Sequence, residues 1–229
     1  MAITEAMKNR WAEIDAVVRE HRVMLREQRD HRKLRAFAVE QGWDNGSDFA
    51  AFKRALVKIR VNYVQVREET FARAEGENAQ RAEQLAQMGD DLAEVWLWVA
   101  AEEDKDSGEG AFAIVDMEDD PVWYGAFHDE DRVRQAGDLV SAEQSVAEKA
   151  VWMAHKALEA CGHEVGRLHV TTMCPQLDEE KLRATGAKMG VAVVVHVDEA
   201  DERALTMAQT PGFMGWQERD LTELVATDE

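Results

Sequence analysis

The chain reads as an α/β domain preceded by an all-α arm, on three observations. Residues 3–41 hold neither Pro nor Gly and repeat their apolar side chains at a helical period. From Glu94 onward, short apolar runs bounded by Gly, Asp and Pro alternate with helical segments in the order β-β-β-α-β-α-β-α. Charge divides in the same region. Of 27 Lys+Arg and 46 Asp+Glu, residues 1–85 hold 16 and 14, so this part is +2 and the remainder −21. Such asymmetry marks two surfaces suited to different partners. The expected organisation is a helical arm over 1–90, an acidic α/β domain over 91–215 and an acidic tail over 216–229.

In the arm, Met7, Trp11, Ile14, Val18, His21 and Leu25 follow a 4-3-4-3-4 heptad spacing, which then meets Gln28 and Arg32. Gly42-Trp43-Asp44-Asn45-Gly46-Ser47 is a turn, with Ser47 or Asp48 able to cap the next helix. Phe49, Phe52, Leu56, Ile59, Tyr63 and Val66 resume the period. The expectation is a coiled-coil hairpin of two helices of ~40 residues, roughly 55–60 Å long. One face is basic: Arg19, Arg22, Arg26, Arg29, Arg32, Lys33 and Arg35, joined by Lys53, Arg54, Lys58 and Arg60. Three readings stand side by side: contact with a phosphate backbone, a solvated coiled-coil surface, or docking on an acidic domain. The order of a charged helix, the turn Gly42-Trp43-Asp44 and the basic helix Phe52–Arg60 resembles GapR-like nucleoid proteins. That resemblance implies a nucleic-acid-binding arm.

In the second part, Val95–Ala101 is apolar on both faces, as a central strand is. Ala111–Val115 and Val122–Phe127 complete a meander. A helix starts at the Ser141-Ala142-Glu143-Gln144 capping box and stops at Gly162. Its apolar face gathers Val146, Ala147, Ala150, Val151, Ala154, Ala157, Leu158 and Cys161. Arg167–Thr172 and Val191–Val197 are the last strands, each followed by a helical run. Trp96, Trp98, Trp123 and Trp152 are expected in the core.

The element order, the helix Glu148–Leu158, the strand Leu168–Cys174 and Asp201-Glu202-Arg203-Ala204-Leu205 are similar to the ribonuclease H-like fold over residues 94–215. The resemblance implies a metal-binding carboxylate at Glu148 and another at Asp201. Two-metal chemistry needs a carboxylate cluster holding Mg²⁺ ions about 4 Å apart. The family's strand-one Asp falls here on Val99, Ala100 or Ala101, and its strand-four Asp on Thr172 or Met173. A degenerate site follows. The rival is an Mg- or Mn-dependent nuclease using Glu102, Glu103, Asp116, Glu148 and Asp201 in an altered arrangement.

Cys161, His163, His169 and Cys174 lack the paired spacing of a zinc site. Two cysteines make no disulfide framework, nothing at the N-terminus has the pattern of a secretion signal, and no apolar run reaches the ~20 residues of a membrane span, so a cytoplasmic setting is expected. Together these features point to a non-catalytic interaction protein with no cofactor. It would bind a basic protein partner through the acidic domain and form homo-oligomers through the arm. Nucleic-acid contact by the arm is the alternative.

Overall fold

The computed structural model describes residues 4–88 and 92–226. Between Gly76 and Glu77 the chain divides into two compact units. Formal charge follows this boundary, at +3 before it and −22 after it.

The first unit is helical, but two 40-residue helices do not form. Among the described residues its helices are α1 (Glu5–Glu20), α2 (Arg22–Glu27), α3 (His31–Glu40), α4 (Gly46–Lys58) and the first part of α5 (Tyr63–Gln87), which runs on past Gly76. The breaks have local causes. Asp30 leaves the helical conformation and its side chain accepts from Arg32 N–H, starting a new helix where the heptad seam meets Gln28. Arg60 takes a positive φ of 63°, and Asn62 Oδ1 then accepts from Val64 and Gln65 N–H to begin α5. Asn45, not Ser47 or Asp48, caps α4. These breaks let Trp43 enter a core with Ile14, Val18, Leu34, Phe37 and Phe52, which a straight hairpin could not enclose. Trp43 itself is buried.

The second unit is built on a five-stranded mixed sheet of β1 (Ala93–Glu103), β2 (Gly110–Val115), β3 (Pro121–Ala126), β4 (Gly166–Thr172) and β5 (Val191–Val197), in the order β3-β2-β1-β4-β5. The first three strands form the expected antiparallel meander, and β4 and β5 run parallel to β1. Parallel neighbours require crossovers; α6 (Leu139–Ala160) and α7 (Glu179–Lys188) supply them. Val95, Leu97, Val99 and Ala101 alternate onto one face, where Val146, Ala150, Ala154 and Leu158 of α6 cover them. On the other face α8 (Arg203–Ala208) covers Ala100 and Val115, with Trp98 packed alongside.

Two boundaries differ from expectation. Helix α6 begins at Leu139, because Asp138 rather than Ser141 provides the cap by accepting from Ser141 N–H. Residues 216–226 are not a tail. Two short 3₁₀ turns, Trp216–Glu218 and Leu221–Leu224, bring Leu224 and Val225 into the core, and Val225 bridges to Val95. Trp216, Leu221, Leu224 and Val225 are the apolar residues that hold this strap down. Among the described residues, no helix is long and apolar enough to cross a membrane.

Candidate functional site

The carboxyl end of β4 lies against β1, with Thr172 paired to Val99 and β1 running on to Glu103. Open α/β sheets commonly place ligands beyond such strand ends. The acid beneath them is Glu143, in the first turns of α6 and only 4% exposed. Its carboxylate accepts from Ala101 N–H at 2.9 Å and from the Thr172 hydroxyl at 3.2 Å. Burial pushes its pKa up to about 7, against the pull of those two donors. Glu143 was not singled out from the sequence, where the capping-box pattern drew attention to Ser141 and Gln144. Its spacing to Val146, Ala147, Ala150 and Ala154 nevertheless puts it on the apolar face of the helix.

The acids that were singled out do not gather. Glu102 is exposed and accepts from Gln209 at 3.4 Å. The Glu103 side chain is enclosed, ion-paired with Arg134 and accepting from Gly137 N–H at 3.0 Å. Asp116 sits in the β2–β3 turn, where it accepts from Glu118 and Asp120 N–H and meets Arg219 at 2.7 Å. Glu148 pairs with Lys181 at 2.7 Å, and Asp201 with Arg203 at 2.9 Å. Among the described residues, one trio of potential ligands has its atoms within 4.8 Å of one another, namely Asp116, Glu118 and Asp120. The Arg219 guanidinium already lies across Asp116 and Asp120.

Glu148 faces a different feature, a cleft of about 340 Å³ on the flank of α6. Ser145, Glu148, Lys149 and Trp152 form one stripe of the helix, spaced by three and four residues. Trp123 from β3 and Trp216 from the C-terminal strap complete an aromatic wall around Trp152. Ring centroids are 6.4 Å apart at 61° for Trp123–Trp152 and 5.0 Å at 78° for Trp152–Trp216. Asp131 closes the polar side. It accepts from Val133 and Arg134 N–H, from the Ser145 hydroxyl at 2.7 Å and from the Lys149 ammonium. Burial opposes its ionisation, but the Lys149 ammonium and the three hydrogen bonds hold it far below the usual carboxylate range.

A third constellation lies on the opposite face of the sheet. His169 Nδ1 and His196 Nε2 are 3.0 Å apart, Glu94 meets His169 Nε2 at 3.4 Å, and Trp96 stacks on His169 at 3.8 Å. Burial lowers the His169 pKa, against the pull of Glu94. His196 is contributed by β5, so no sequence spacing brings it to His169, and Cys161 and Cys174 join neither ring.

In the helical unit, Arg19, Arg22, Arg26 and Lys58 line a cleft of about 260 Å³ together with Asp15. Much of the expected basic face has structural work. Arg26 Nε donates to Ile59 C=O at 2.8 Å, Lys58 pairs with Asp15, Arg54 lies over Trp11, and Arg35 and Lys53 lie over Phe49. Arg29, Arg32, Lys33 and Arg60 are exposed. No known protein family matches the chain, and no curated protein matches it in sequence.

Proposed function

We propose that this chain is a non-catalytic interaction protein whose second unit is a ribonuclease H-like domain with a degenerate site. The sheet order β3-β2-β1-β4-β5, with an antiparallel meander followed by two parallel strands, supports the fold reading. One observation carries the functional reading: at the ends of β1 and β4, Glu143 stands with Ala101 and Thr172 as its partners. Two-metal hydrolysis needs several carboxylates around two cations. A buried acid held by an amide and a hydroxyl, and near neutrality in its pKa, serves as an internal polar link between α6, β1 and β4. The domain's function then lies on its surface, and a formal charge of −22 favours a basic protein partner.

The test is a Mn²⁺-dependent nuclease assay of the full chain on RNA–DNA hybrid and single-stranded DNA, beside Glu143→Gln and Glu148→Ala. Equal, background cleavage by all three is expected. Metal-dependent cleavage by the wild type that either substitution abolishes would overturn the reading and install Mg²⁺ or Mn²⁺ as a cofactor. The basic cleft of Arg19, Arg22, Arg26 and Lys58 supports a second reading, contact of the helical unit with nucleic acid. Under that reading, charge reversal at Arg22 weakens DNA binding and flattens its salt dependence.

A further inference from the structure

The tryptophan cleft has the chemistry of a receptor for a cationic side chain. Trp152 meets Trp123 and Trp216 at steep angles, and all three indoles line the cavity. Two carboxylates, Asp131 and Glu148, stand in the wall against one ammonium, Lys149. That ammonium is directed inward: it serves Asp131 and Ser145 and lies over the Phe112 and Phe127 rings, not over the indoles. Asp131 is therefore neutralised and Glu148 is the charge left facing the cleft. Its counter-ion is Lys181 of α7, 2.7 Å away with half its side chain exposed. An exposed lysine holds such a pairing weakly and releases it readily.

The rest of the chain shows what its other partly exposed indoles take. Arg54 lies 4.3 Å above Trp11, Arg203 lies 4.5 Å above Trp98, and Trp96 stacks on the His169 ring. A guanidinium combines a flat face for an indole with a fork for a carboxylate, and tryptophan is the best aromatic partner for a cation. We propose that the cleft binds an arginine side chain of a basic partner, its guanidinium against Trp152 and Trp216 and paired with Glu148 in place of Lys181. This assignment rests on the basic-partner reading above and supplies its contact point.

The experiment follows intrinsic tryptophan fluorescence of the full chain at about 0.15 M salt, where distant surface charges are screened beyond ~8 Å. N-acetyl-arginine amide, N-acetyl-lysine amide and adenosine are titrated separately. A saturable change with arginine at a millimolar Kd is expected, as befits so small a ligand, with a weaker response to lysine and none to adenosine. Glu148→Gln should weaken arginine binding about tenfold, through loss of a charge-assisted pair. Lys181→Met should tighten it about threefold, by removing the competing ammonium. A gain of affinity does not arise from misfolding, so this variant keeps the test decisive if Glu148→Gln disturbs the fold.

No saturation by arginine, binding indifferent to both Glu148→Gln and Lys181→Met, or preference for adenosine would each overturn the assignment. A parallel titration with polyarginine separates it from the broader reading. If the polymer binds the variants and the wild type alike, the basic-partner reading stands and the cleft is not its contact. If arginine amide binds the cleft and the polymer does not bind, the cleft stands without that partner.

Discussion

Glu143 and Asp131 are both withdrawn from water in the α/β unit, one beneath the strand ends and one on the flank of α6, and their protonation is driven in opposite directions. Glu143 has an amide and a hydroxyl for partners, and burial carries its pKa up to about 7. Asp131 has the same kinds of donor in greater number and, in addition, the Lys149 ammonium. Depth and the presence of a cation within hydrogen-bonding distance together decide whether a buried acid stabilises the domain as an ion. The sign of the pH dependence follows. Glu143 contributes stability in full below 4.5, and this is lost as pH rises through about 7. The contribution of Asp131 is present at neutral pH and is lost as the solution becomes acidic enough to protonate it.

The comparison breaks most sharply at Lys149. Lys149→Met leaves Asp131 enclosed without its cation and should lower the stability of the unit by on the order of 3 kcal/mol at neutral pH. Denaturant unfolding measures the loss, and Asp131→Asn in the same background should recover part of it; an unchanged midpoint would show that the hydrogen bonds alone hold Asp131. The converse experiment is Glu143→Gln. It should raise stability by about 2 kcal/mol at pH 8 and leave it unchanged at pH 4, flattening the profile between them. A loss at pH 8 would mean that the ionised form is favoured where it sits.

Smaller effects sharpen the contrast. Thr172→Val removes one donor from Glu143 and should cost about 1 kcal/mol at pH 8, with the carboxyl titration followed by NMR moving further upward. Because Thr172 Oγ1 also accepts from Cys174 N–H, part of that loss persists at pH 4. Ser145→Ala removes one of four donors to Asp131 and should cost about 0.5 kcal/mol, since the ammonium remains.

The strand and helix order of the second unit was legible because period and turn residues agree there: an apolar run such as Val95–Ala101 has few alternatives to a central strand. The first unit misled for a physical reason. Heptad spacing at Met7–Leu25 and Phe49–Val66 is also what a folded helical core requires, and single residues such as Asp30 and Asn62 choose between a rod and a bundle. The site was half legible. Ser145, Glu148, Lys149 and Trp152 could be read as one stripe, whereas Trp123 and Trp216 reach it only through the sheet and the strap. Family-like spacing directed attention to Glu148, while the buried acid of α6 is Glu143, about one and a half turns earlier, on the face already recognised as apolar.

The strap has a consequence in time. Val225 joins Val95, and Ala226 N–H donates to Glu94 C=O at 2.8 Å, so the first strand of the sheet waits for some of the last residues described. During synthesis β1 leaves the ribosome long before its strap exists. Until the strap has emerged and docked, Trp152 lacks the neighbour Trp216 that walls its cleft. The nascent domain therefore gains its tryptophan cleft last, after the sheet is laid down.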